Sequence, residues 1–403
     1  MSRLRIGLCS QGDERWTAGV IYLQNLIRAC ALLTENERPE FQFIFHHKTE
    51  IVALRELGEL RPPERAYSHQ RTLKIHEQWR AASKSLRNGH WPVSLEALAC
   101  RLQLSALFPL QSSLGEHFPA PWIGWIPDFQ HKKLPRFFSD SERRTRDRQF
   151  QQLIDESRHL VVSSQDARDD VMRWFEADEK RVSVLRFHTM IDPRWLMATP
   201  EQSARTFQLP AKYLMFPSQF WVHKNHERLL QALSIVRQRG QPDIAIVFTG
   251  FHKDYRKPGH FHQIQHLTAE LGLQRNVHYL GLLPRPVQIQ LLRRAAAIVQ
   301  PSFCEGWSSL VEDCRSLGKK LYLSDIPIHR EQKPPHAVYF NPDSAEELAE
   351  YLTRDWDSLS PGPDLAEEAR AVAESRELGI RYAQAFLSIV SSAMHPSSLT
   401  RVL

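Results

Sequence analysis

The chain has 403 residues, enough for two or three domains, and its 42% hydrophobic and 24% charged residues are those of a globular protein, which excludes collagen-like, coiled-coil and wholly disordered classes. The five cysteines (Cys9, Cys30, Cys100, Cys304, Cys314) are odd in number and widely scattered, with no CxxC pair, so neither a disulfide framework nor a zinc ribbon is expected. A net charge of +6 suits acidic partners but is too modest to choose between nucleic acid, an anionic membrane and a phosphorylated substrate.

In chain order, the opening MSRLRIGLCS reads as a strand over Leu4–Cys9 rather than a secretory leader. A polar loop to Gly19, a helix with Val20, Leu23, Ile27 and Leu32 on one face, and a strand at Phe41–Phe45 follow. Residues 61–92 are polar and basic (Arg61, Arg65, Arg71, Lys74, Arg80, Lys84, Arg87) and read as helix and loop decorating a sheet. Apolar runs return at Ser105–Leu110 and Trp122–Ile126, then comes a basic stretch from His131 to Arg148 and a strand at Leu160–Val162. Ser163 with Asp166 fits a capping box for the next helix. The Pro-containing stretch Asp192–Pro210 reads as a linker.

From Tyr213 the alternation is regular. Strands are expected at Tyr213–Phe216, Ile244–Thr249, Val277–Leu280, Ala297–Val299, Lys320–Leu323 and Val338–Phe340. The helices between them end at Gly240, Gly272 and Gly318, where a left-handed cap residue belongs. A last helix is expected over Leu365–Ser392. Strand–helix alternation in both halves predicts an α/β protein of two doubly wound, Rossmann-like domains facing a cleft, with ligands at the carboxyl ends of the strands. The expected boundaries are 1–195, 196–375 and 376–403, the last being a helix returning to the first domain. No window approaches ~18 uncharged apolar residues, so no membrane-crossing helix is expected.

Four loops after strands could carry chemistry. In PSFCEGWSSLVEDC, Gly306 permits close backbone approach, and Trp307, Ser308, Ser309 and Leu310 lead into a helix whose first amides attract phosphate. Glu305 has no capping role there, whereas Ser309 and Glu312 fit a capping box that needs no ligand. In FPSQFWVHKNHE, Lys224 precedes a helix and could meet a diphosphate or be an ordinary exposed lysine. Gly19 opens the first helix. In WIPDFQHKK, Asp128 and His131 stand where cleft residues would, although Asp128 also fits a turn after Pro127. His260, His262 and His266 lack the HExxH spacing, and no carboxylate cluster adjoins them, so no metal site is expected. There is no GxGxxG, P-loop or GxSxG.

Together these loops resemble the retaining glycosyltransferases of the GT-B fold, family 4 (group 1), in a subgroup typical of bacterial polysaccharide enzymes. The match is carried by 301–331, with support from Lys224-Asn225, Phe248-Thr249-Gly250, Val277 to Gly281, and Ser163-Ser164 with Asp170. There are three departures. Glu305 and Glu312 have one residue fewer between them than the family usually has. Gln219 stands where an arginine usually precedes the lysine. Pro127-Asp128 stands where a histidine is often found.

The resemblance implies hexose transfer from a nucleotide-diphosphate sugar to a glycan or lipid-linked acceptor, without metal or resident cofactor. It gives Glu305 contact with the transferred sugar, Glu312 the ribose, and Lys224 with the helix amides the diphosphate, Gln219 and Gly19 lining the donor site. Asp128 would position acceptor or sugar. No nucleic-acid module emerges. The basic Lys132–Arg148 segment, interleaved with Leu134, Phe137 and Phe138, suits either an anionic membrane surface or a solvated helix face. A cytoplasmic location, peripheral on the inner membrane face if that surface is used, is expected. Two other readings stay open: a nucleotide-sugar epimerase on the same fold and a non-catalytic nucleotide- or carbohydrate-binding protein.

Overall fold

In the computed structural model, residues 3–11, 17–45, 66–68 and 94–395 are described. The basic stretch 61–92 lies outside them except for one short strand, as does Trp16 in the loop before Gly19. The chain divides into two compact units: residues 1–127, 145–187 and 379–403 form one, and residues 128–144 and 188–378 the other.

Among its described residues the first unit has seven strands: β1 (Arg5–Cys9), β2 (Glu40–Phe45), β3 (Ala66–Ser68), β4 (Ala106–Leu110), β5 (Trp122–Ile126), β6 (His159–Val162) and β7 (Val182–Val184). They pair in parallel in the order β3-β2-β1-β4-β5-β6-β7. β4, β5 and β6 are buried along their whole length, which is why their sequences are apolar without alternation. Their neighbours include Tyr22 stacked on Trp125 at 4.6 Å and Phe108 tilted against Phe386 at 5.2 Å.

The second unit has six parallel strands: β8 (Leu214–Pro217), β9 (Ile246–Thr249), β10 (Val277–Tyr279), β11 (Ala297–Gln300), β12 (Leu321–Ser324) and β13 (Ala337–Phe340). Their order is β10-β9-β8-β11-β12-β13, so the winding reverses between β8 and β11. One apolar core runs from Tyr213 to Trp356 through all six strands. Gly240, Gly272 and Gly318 do sit at positive φ, +97°, +66° and +62°, just past helix ends.

Three sequence expectations need correction. The stretch 192–210 is not a bare linker. Its prolines open two short helices, Pro193–Leu196 and Pro200–Thr206, where a missing N–H costs nothing, and Asp192 caps the first of them. The helix Gln165–Trp174 is capped by Ser164, which accepts the Ala167 amide at 3.1 Å, while the Ser163 hydroxyl accepts from Trp125 Nε1. Strand β7 and the helix Leu95–Leu102 are additional elements, short enough to escape periodicity. The last helix, Leu365–Met394, lies with the second unit as far as Leu378 and with the first from Gly379 onward.

Candidate functional site

The reversal of strand order in the second unit places the loops after β8 and β11 side by side, the position where open α/β sheets bind ligands. After β8, Phe220 donates its amide to Phe251 O and Val222 its amide to Asp254, which fixes a short 3-10 turn over Val222–Lys224. Asn225 then takes a left-handed conformation, φ +59°, which asparagine tolerates better than most residues. Its side-chain amide donates to Pro301 O at 3.0 Å and Pro342 O at 2.9 Å. The helix His226–Gln238 begins at once, and Lys224 is left pointing at the β11 loop.

There it meets Glu305. The Lys224 ammonium lies 2.7 Å from Oε1 and 2.8 Å from Oε2. Both side chains are largely buried, 13% and 8% exposed. Burial alone would raise the Glu305 pKa, but the charge and hydrogen bond of Lys224 outweigh it and hold the carboxyl below its ordinary range. Gln300, the last residue of β11, donates to Glu305 Oε1 at 2.8 Å. His329, wholly buried on the helix Pro327–Gln332, keeps a neutral imidazole. Burial pushes its pKa down to about 4, with Glu305 partly opposing, and its Nδ1 bonds Ser324 O at 2.8 Å.

Ser308, not Ser309, caps the helix Ser309–Ser316: its hydroxyl accepts the Val311 amide at 3.2 Å. The capping box read from Ser309 and Glu312 is therefore corrected. Glu312 instead enters a buried network, accepting from His188 Nδ1 at 2.9 Å and Gln332 Nε2 at 2.9 Å, with Arg315 Nε at 3.3 Å. The Ser308 amide bonds Gln332 Oε1 at 3.2 Å. The amides of Ser309 and Leu310 have no protein acceptor among the described residues, the usual state of a helix start. Gly306 and Trp307 form the half-buried turn leading to them.

Gln219 accepts the Phe251 amide at 2.7 Å and so braces the loop after β9. There Gly250, at φ +130°, passes so close to the chain that an added Cβ would lie 2.2 Å from Ser218 O. Further along the same loop is Arg256. It is paired with Asp254 at 3.0 Å, bonded to Gln130 Oε1 at 3.2 Å, and stacked by its guanidinium on Phe138 and Trp221 at 5.2 and 5.5 Å. Residues 128–144 are thereby fastened into this unit, with Glu142 accepting from the Tyr255 hydroxyl at 2.7 Å.

Asp128 accepts from the Gln130 amide at 3.1 Å and from its side chain at 3.0 Å, as a turn aspartate does. His131 is fully buried, edge-on to Phe138. Leu134 and Phe138 are buried too, Phe138 beneath the Arg256 guanidinium. In the first unit, Gly19 is demanded by packing: a Cβ there would lie 2.9 Å from Gln11 C and O. Among the described residues no group of three histidine, cysteine or acidic side chains is placed to hold a metal. None of the described helices is long and apolar enough to cross a membrane.

The structure thus brings Lys224, Glu305 and the Ser308–Leu310 helix start together, and holds Glu312 among other partners. Gln300, His329, Gln332, His188 and Arg256 were missed by sequence reasoning. A polar residue closing an apolar strand, as Gln300 does, is the one signal that could have flagged any of them.

Residues 200–357 match the family described as Glycosyl transferases group 1. The chain is 25% identical over 240 residues to the D-inositol 3-phosphate glycosyltransferase of Corynebacterium glutamicum. That match covers 55% of each, so the chain spans about half the length of the curated relatives it matches. In three dimensions it is similar to a glycosyltransferase of Rickettsia africae, with a TM-score of 0.66 at 14% identity over 99% of this chain and 100% of that one. It is also similar to Anabaena HepE in a crystal structure with UDP and glucose, with a TM-score of 0.66 at 13% identity over 97% and 100%. At such identities the likeness is one of fold: two doubly wound units, as in GT-B proteins.

Proposed function

We propose that this chain, a GT-B protein carrying a group 1 glycosyltransferase domain at residues 200–357, transfers a hexose from a nucleotide-diphosphate sugar to a glycan or lipid-linked acceptor, with retention of anomeric configuration and without metal. The observation that carries the reading is the Lys224–Glu305 pair beside the helix start whose Ser309 and Leu310 amides have no protein acceptor among the described residues, at the sheet's switch point.

The leaving diphosphate gathers negative charge as the glycosidic bond breaks. Lys224, the amides of Ser309 and Leu310, and the positive end of their helix meet that charge without needing to reorganise. Glu305, ionised by its contact with Lys224, accepts hydroxyls of the transferred sugar, while Gly306 and Trp307 let the donor approach the backbone. Retention proceeds by departure and attack on one face, so no enzyme nucleophile is called for. Asp128 orients the acceptor, and Glu312, already bonded to His188 and Gln332, supports the ribose end of the donor.

Thermal unfolding with UDP, GDP, dTDP and ADP tests the reading. A nucleotide at 100 times its dissociation constant adds about 2.7 kcal/mol to stability. One of the four is expected to raise the melting temperature, and Glu305→Gln is expected to keep that shift while lowering turnover of the matching nucleotide sugar by about 100-fold or more. No shift with any of the four would overturn the donor site, and full turnover in Glu305→Gln would remove Glu305 from it. A shift without turnover would favour a binding protein, a reading to which the uncharged Gln219 lends weight.

The acceptor's setting is an anionic membrane face met by the exposed Arg144 and Arg148. Flotation with liposomes should then require anionic lipid, and equal flotation with neutral vesicles would end the idea.

A further inference from the structure

We propose that Gln300 is a positioning residue, which fixes the carboxylate plane of Glu305 and ties it to the N-terminus of the helix Ser309–Ser316. The inference rests on the reading that Glu305 meets the transferred sugar. Gln300 closes β11 and is only 2% exposed. A buried amide in place of an aliphatic side chain costs stability unless its polar atoms are used. Both are: Nε2 donates to Glu305 Oε1 at 2.8 Å, and Oε1 accepts the Ser308 hydroxyl at 2.8 Å. Ser308 Oγ in turn accepts the Val311 amide at 3.2 Å.

The chemistry of the partners permits one orientation of this chain. An ionised carboxylate can only accept, so the amide must turn its N–H toward Glu305. The amide oxygen then faces Ser308 and can only accept, so the Ser308 hydroxyl gives its proton there while one of its lone pairs takes the Val311 N–H. Every bond runs the same way, from the first turn of the helix through Ser308 and Gln300 to Glu305. Lys224 holds the same carboxylate from the β8 loop. When a diphosphate shares the Lys224 ammonium, that hold weakens, and the Gln300 bond remains to keep Glu305 aimed. The same chain begins at the helix start that receives the diphosphate, so occupation of the phosphate end and orientation of the sugar-binding carboxylate are mechanically linked.

Gln300→Met tests this in the full chain, since methionine keeps the length and removes both bonds. Two quantities are measured. One is turnover of the glucose ester of whichever nucleotide stabilises the wild type. The other is affinity for the corresponding nucleoside diphosphate, which lacks the sugar. The expected result is a kcat lower by about 10–100-fold, as for a slight misplacement of a reacting group, with KM and diphosphate affinity within about 2-fold of wild type. Gln300→Met should add nothing in a Glu305→Gln background. Ser308→Ala breaks the chain at its next link and should give a smaller loss of the same kind, while Ser308→Thr, which keeps the hydroxyl, should restore it; these variants decide the matter if Gln300→Met does not fold. Wild-type kcat in Gln300→Met alongside an impaired Glu305→Gln overturns the proposal and leaves the donor site standing. An equal loss of diphosphate affinity overturns it too, by reducing Gln300 to support of the helix start. Unimpaired Glu305→Gln removes the underlying reading and the proposal with it.

Discussion

At the scale of single residues, the Lys224–Glu305 pair is poorly explained by stability. Two charges taken from water lose hydration that their mutual attraction barely repays, and an apolar pair of similar volume serves a core as well. The pair makes better sense as a site held ready. His329 beside it has a measurable consequence. Its folded pKa of about 4 lies below the ordinary 6.5, so the unfolded chain takes up a proton on acidification that the folded chain refuses. Stability should therefore fall as pH drops from about 6.5 toward 4, by up to about 1.4 kcal/mol per pH unit from this group alone. Denaturant unfolding across that range should show a flatter slope in His329→Gln, and an unchanged slope would mean that the imidazole is not held neutral. Glu305 stood out in the sequence because a Glu-Gly-Trp loop has no capping use for it, whereas Lys224 read by itself as an ordinary exposed lysine and stood out only through the resemblance. Gln300 and His188 were not: Gln300 reaches Ser308 across the irregular loop between strand and helix, His188 reaches Glu312 from 124 residues away, and neither pairing has a periodicity to read.

At the scale of elements, strand cores and helix ends were legible almost throughout the second unit, because buried parallel strands are unbroken apolar runs and glycine marks the left-handed caps. What the sequence hid was which of two adjacent serines caps a helix, as with Ser308 and Ser309, because the choice depends on the angle at which the chain enters. The loop after β9 shows how tight such entries are. Gly250 is held by its amide to Gly281 O at 2.7 Å, and its neighbour Phe251 by Gln219. Gly250→Ala should destabilise the second unit by about 2 kcal/mol or more, since a methyl would strike Ser218 O and the backbone angle disfavours any side chain. Chemical denaturation reads this directly, and a loss under about 0.5 kcal/mol would mean the loop relaxes freely. Gln219 serves as the brace of this loop.

At the scale of the whole molecule, the α/β class and the two sheets followed from alternation, whereas the place of residues 128–144 did not. Residues 128–144 lie within a first-half sequence yet belong to the second unit, because Arg256 collects Gln130 and Phe138 from a distance no local pattern reveals. The start of the last helix is fastened similarly. Arg293 meets Glu368 at 2.8 and 2.9 Å with both side chains under 10% exposed. Glu368→Gln should cost about 3–5 kcal/mol by leaving a buried guanidinium short of its counter-charge, and a melting temperature equal to wild type would show that water reaches the pair.

The division of the last helix also bears on how the protein is made. Tyr382, Phe386 and Val390 are buried side chains of the first unit, with Phe386 against Phe108 of β4. A ribosome adds roughly 5–20 residues per second, so β4 waits on the order of tens of seconds for that partner to be synthesised. The second unit, complete at Leu378, can close before then. The half of the protein that is born first is thus the half that is finished last, and during that interval the place of Phe386 against Phe108 stays empty.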